Sequence, residues 1–160
     1  MNEDTALRKH IIDLLGGGNA HADFDQAIDG LPVHLRGARV KNLPYSAWGL
    51  LEHMRIAQWD ILEFTRNAKH VSPKWPDEYW PVDDAPADSS AWDNSVAAFG
   101  RDLKDLQALV KNPATDLLAS IPHGDGQTVL REALLAADHN AYHLGELVAL
   151  RRLLGAWDKK

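Results

Sequence analysis

The residues best placed to do chemistry in this chain are two histidines, His139 and His143. They lie in the segment TVLREALLAADHNAYHLGELVALRRLL, Thr128 to Leu154. On an α-helix, side chains four apart sit one above the other, roughly 5–6 Å between Cβ atoms. Two imidazoles so placed can close on one metal ion at about 2.0–2.1 Å from each nitrogen. Eight histidines in 160 residues would give roughly 0.4 such spacings by shuffling, so the pair needs support from its surroundings. The zincin pattern HExxH is not met, because Asn140 and not Glu follows His139. A peptidase built on that general base is thereby disfavoured.

The helix carrying the pair is expected to be central. At 100° per residue, Leu135, His139, Tyr142, His143, Glu146 and Leu150 share one side. Leu130, Leu134, Leu144 and Val148 line another, so the helix reads as apolar nearly all round. It is also the longest run without proline, and its one glycine, Gly145, sits well inside. Gly155 is placed to cap its end.

The other elements also read as helices. The spacing predicts a first helix from about Asp4 to Leu15 with Leu7, Ile11, Leu14 and Leu15 inward, stopped by Gly16–Gly18. A short helix near Ala22–Asp29 follows, anchored by Phe24 and Ile28, and Leu31–Lys41 reads as irregular or one further turn. A second long helix begins after Pro44 with Ser46 as cap. Its apolar face carries Leu50, Leu51, Met54, Ala57, Ile61, Leu62 and Thr65, with His53 on the flank. The connection VSPKWPDEYWPVDDAPADSS holds four of the eight prolines. Its Trp75, Tyr79 and Trp80 argue for packing over disorder. Ser90 and Asp93 resemble a capping box opening a third helix, whose stripe is Trp92, Val96, Phe99, Leu103, Leu106 and Val110. Asn112-Pro113 ends it. The expected fold is all-α, a single antiparallel four-helix bundle over residues 1–160 with at least one long crossover connection.

Composition narrows the function classes. With no cysteine there is no thiolate ligand, so a metal must take His, carboxylates and water. A net charge of −6 without any basic stripe argues against a nucleic-acid partner. No apolar run approaches the roughly 20 residues of a membrane span. The charged start MNEDTALRKH lacks the core of a secretory signal, which makes the cytoplasm the default location.

The stretches LLEHMRIAQWDIL, WPDEYWP and PHGDGQTVLREALLAADHNAYHLGELVALRRLLG, in that order, resemble the DinB-like superfamily, the YfiT-type metal-dependent hydrolases. The resemblance covers about residues 5–157 and is most specific in the last forty residues and around His53. It implies a four-helix bundle with a divalent metal held by three histidines, one from the second long helix and two from the last. Those positions match His53, His139 and His143. Three imidazoles leave a position open for water or substrate, and all-nitrogen ligation suits Zn or Ni. Relatives include transferases that join low-molecular-weight thiols to electrophiles, so the resemblance implies a small-molecule substrate, a thiol cofactor and a homodimer. Hydrolysis is the alternative chemistry. A bundle that only holds metal is the non-catalytic one.

Around such a centre, Glu146 is placed one turn beyond His143, to orient a ligand or accept a proton; its bland reading is a partly exposed helix glutamate. Tyr142 sits beside the pair, either to donate to a bound substrate or simply to pack. Trp75, Tyr79 and Trp80 either wall the open side and select an apolar ligand or staple the long loop to the bundle. His123 reads as a solvated loop residue. His10, His21, His34 and His70 form no pattern.

Overall fold

The computed structural model describes residues 2–157. Helices α1 (Glu3–Gly16), α2 (Phe24–Ile28), α3 (Ala47–Arg66), α4 (Ser89–Lys111) and α5 (Val129–Leu153) build an all-α bundle. Single 3₁₀ turns occur at Val33–Leu35 and Asp77–Tyr79. Among the described residues the only β feature is an isolated bridge between Ser120 and Thr128. None of the helices there is long and apolar enough to cross a membrane.

The four long helices form a ring in which α3 packs beside α4 and α5, and α1 packs beside the same two. Cross-helix contacts fix their directions. Gln58 reaches the Phe99 carbonyl and Arg66 reaches Asp105, so α3 and α4 run parallel. Tyr45 meets Glu146 at one end of α3 and Phe64 meets His123 near the other, so α3 and α5 run antiparallel. Arg8 bonds the Val110 carbonyl and Gln107 bonds that of Ile12, which sets α1 antiparallel to α4. Parallel neighbours cannot be joined by a tight turn. Residues 67–88 must therefore travel back the length of α3, about 30 Å for twenty residues. This is the expected long crossover, while the parallel α3–α4 pair corrects the expectation of an antiparallel bundle throughout. It retraces α3 step by step, with His70 on Asp60, Tyr79 on His53 and Asp84 on Ser46.

Two apolar clusters fill the bundle. One gathers Phe24, Trp48, Leu50, Leu51, Met54, Phe99 and Leu147; the other gathers Ile11, Leu15, Leu62, Leu106, Val110 and Ala133. Between them lies a polar layer. Gln58 donates to the Phe99 carbonyl at 2.8 Å and accepts from Asn140 at 2.9 Å. The expected cap holds at Ser46, which accepts from Gly49 N, and Thr128 caps α5 by accepting from Arg131 N. At the far end of α5, Gly155 takes positive φ. Gly155 N–H meets the Arg152 carbonyl and Ala156 N–H meets that of Arg151, a Schellman closure.

Three further expectations are corrected. Leu7 and Leu14 are exposed, and Arg8 takes the inward arc beside Ile11 and Leu15. Its guanidinium binds the carbonyls of Val110, Asn112 and Thr115, satisfying groups left bare at the end of α4. The α4 cap is Asp88, not the Ser90–Asp93 box: Asp88 Oδ1 accepts both from Ala91 N and from the Ser90 hydroxyl. Finally, α5 is not buried all round. Its inner face is Ala133, Ala136, Ala137, Asn140, Leu144 and Leu147, while Leu134, Leu135 and Tyr142 stay exposed. The small alanines let α5 approach its neighbours closely, and the bulky side chains are left outside.

Candidate metal centre

Helix α3 supplies His53 and α5 supplies His139 and His143, and one candidate ligand atom from each lies within 4.8 Å of the others. The antiparallel pairing brings them level. His53 Nε2 and His139 Nε2 are 3.0 Å apart. His53 is not on a flank, as its helical position suggested, but only 2 % exposed, because the crossover covers it. Trp80 lies flat on its ring, centroids 3.9 Å apart and planes within 3°.

Neighbouring groups decide which nitrogen is free. The Tyr79 carbonyl, 2.9 Å from His53 Nδ1, can only accept, so Nδ1 carries the hydrogen and Nε2 keeps its lone pair. Glu146 Oε2 stands 2.7 Å from His143 Nδ1 and fixes the same tautomer there. A lone pair on His53 Nε2, 3.0 Å from the Nε2 of His139, is tolerable only with a proton or a cation between them. Two nitrogens on one ion at about 2.0–2.1 Å are separated by less than about 4 Å, so this spacing fits a shared ion. His139 Nδ1 is buried without a hydrogen-bond partner. Within the cluster no carboxylate joins the three rings, so the donor set is all imidazole, as suits Zn or Ni. The residues fit a divalent metal.

Electrostatics favours the neutral form of His53 and His139, the state a metal requires. Burial, reinforced by the adjacent His143 and His53, pushes the His139 pKa down to about 4. Burial also lowers that of His53, against the opposing pull of the Tyr79 carbonyl.

The supporting shell was only partly legible in the sequence. Glu146 does contact one of the three histidines, and both its oxygens are engaged: Oε2 by His143 and Oε1 by the Tyr45 hydroxyl at 2.7 Å. Burial and this bond raise the Tyr45 pKa. Tyr45 also stacks on Trp80, centroids 6.1 Å apart, so a closed circuit runs His53, Trp80, Tyr45, Glu146, His143. Tyr79 meets the site through its carbonyl, while its hydroxyl donates to Asp60 at 2.6 Å. His70 Nε2 binds the other Asp60 oxygen at 2.7 Å, which pins the crossover to α3. Trp75 is 71 % exposed, beside Tyr79 and 6.5 Å from the His53 ring. Tyr142 is 64 % exposed, its ring edge-on to His143 at 4.9 Å. His123 stays away from the centre, anchoring its loop on the Phe64 carbonyl. Asp60 stands two turns from His53 on the same helix face, a signal periodicity offered. Nothing in the sequence marks Tyr45, whose role depends on a helix a hundred residues away.

No family model matches the chain, and no curated protein or solved structure matches it. The centre is accordingly read from its own geometry.

Proposed function

We propose that this chain is a metal-dependent enzyme acting on small molecules, with His53, His139 and His143 holding a divalent ion. The observation that carries the reading is the convergence of three imidazoles, two with their Nδ1 atoms held by dedicated partners. Structural zinc sites are usually closed by four protein ligands, whereas three leave a position for an exogenous group. A divalent ion bound there would supply Lewis acidity, lowering the pKa of a small thiol enough for it to react as thiolate at neutral pH.

The chain's own residues would do the rest. Trp80 excludes water from one face of His53, and the exposed rings of Trp75 and Tyr142 flank the approach and suit an apolar electrophile. Transfer of a thiol is favoured over hydrolysis because Glu146, the carboxylate that touches a ligand, has both oxygens occupied. A hydrolase would need a base free to take a proton from water. The resemblance to the DinB-like superfamily points the same way, and adds a homodimer to the proposal.

The test is metal analysis of the purified chain, followed by a screen of cysteine and glutathione against 1-chloro-2,4-dinitrobenzene. Sulfur would displace chloride, with the thiol proton passing to buffer. His53→Ala, His139→Ala and His143→Ala should each lose metal and turnover while the helical circular dichroism persists. Zero turnover in metal-replete protein would remove the transferase reading. Unfolding on metal removal would assign the ion a structural role instead.

A further inference from the structure

On the side of α5 turned away from the three histidines lies a cleft of about 520 Å³. Its floor is Leu144, Gly145 and Val148, and its walls include His21, Arg152 and Trp157. Gly145, Val148 and Arg152 stand roughly 140–180° around the helix from His143.

Gly145 is the informative residue. It sits in the middle of a 25-residue helix, where glycine is the poorest helix former apart from proline. Glycines inside helices usually answer to a positive φ or to a close neighbour. Gly145 has neither: its φ is not positive, and a Cβ built on it meets no atom within 4 Å. What its missing side chain does is leave the cleft floor open. The charge pattern is a second, independent observation. The chain carries a net charge of −6, yet among the described residues lining this cleft none is acidic. Arg152 makes no side-chain hydrogen bond or ion pair among the described residues. An arginine fork with no carboxylate on it among the described residues, over an apolar floor and beside an indole, matches a ligand of one kind.

We propose that this cleft binds a small organic carboxylate with a flat apolar body, the carboxylate on Arg152 and the body over Gly145 and Val148. The site is separate from the metal centre and independent of its chemistry.

The experiment is a titration of the full-length chain with 2-naphthoate, followed through the amide resonances of Gly145, Val148 and Arg152. Two comparison probes, 2-naphthalenemethanol and inorganic phosphate, carry the body without the charge and the charge without the body. Saturable shifts at those three amides are expected with 2-naphthoate, and at least tenfold weaker binding with either comparison probe. Gly145→Leu fills the floor and should weaken binding at least tenfold. Gly100→Leu, an equally unhindered helix glycine outside the cleft, should leave it unchanged. Arg152→Gln, on an exposed side chain that leaves the fold intact, should also cost tenfold or more. The proposal is overturned by the absence of saturable shifts, by phosphate binding as tightly as 2-naphthoate, or by full affinity in either cleft variant.

Discussion

Glu146 offers the sharpest test of the metal centre, because its two oxygens do different jobs. Oε2 holds His143 Nδ1 at 2.7 Å, and Oε1 is held at 2.7 Å by the Tyr45 hydroxyl. Replacing Glu146 with Gln keeps the shape but removes the charge facing an imidazole. A hydrogen bond to a charged group is worth about 1.5–3 kcal/mol, and loss of a metal ligand's orienting partner typically costs about 10–100-fold in affinity. Tyr45→Phe leaves the carboxylate on His143 and the stacking on Trp80, and removes only the outer bond. That bond also ends on a carboxylate but acts at one remove, so a loss of roughly 3–10-fold is expected. The affinity order is thus wild type, Tyr45→Phe, Glu146→Gln, Glu146→Ala. Competition with a chromogenic zinc chelator at pH 7 measures it, and the melting temperature of metal-free protein controls for folding. If Glu146→Gln bound zinc as tightly as wild type, or Tyr45→Phe lost more than Glu146→Gln, the orienting role would be refuted.

Acid should destabilise the metal-free protein. An unfolded histidine titrates near 6.5, whereas His139 does so near 4 when folded, and His53 is shifted in the same direction. Between those values the unfolded chain binds more protons, so stability is full above about pH 7 and falls from pH 6.5 towards 4. For His139 the loss is at most about 3 kcal/mol before solvent screening reduces it; urea melts across that range should show the slope, and His139→Asn should flatten it. Ser46→Ala removes a buried hydroxyl that caps α3 through Gly49 N and donates to the Asp84 carbonyl of the crossover. It should cost about 1–2 kcal/mol in a denaturant melt, and an unchanged midpoint would contradict the pinning of the crossover there. Gly145→Ala should do the reverse, adding up to about 1 kcal/mol, since its Cβ meets no neighbour. Thermal unfolding should then shift upward by roughly 2–4 °C, and a fall would reveal a contact that the open floor does not suggest.

Periodicity and capping chemistry are local, and what they determine was legible in the residues themselves. The heptad-like stripe from Trp92 to Val110, the Ser46 cap, the Asn112-Pro113 stop and the i,i+4 pair His139 and His143 each follow from neighbours along one helix. Orientation around the helix axis is not local. Arg8 displaced Leu7 and Leu14 from the inward arc because bare carbonyls at the end of α4 needed a donor, and those carbonyls belong to residues a hundred positions away. His53 changed from a flanking residue to a buried one for the same reason, since its cover, Trp80, arrives from the crossover. Only the parallel run of α3 and α4 obliges that crossover to retrace α3. That path lays Tyr79 and Trp80 over the histidine and places Trp80 against Tyr45. The sequence by itself determined which helices form and which side chains can bind a metal. Tertiary structure decided which nitrogens converge, because tautomers and ring angles are set by partners that chain order does not bring together.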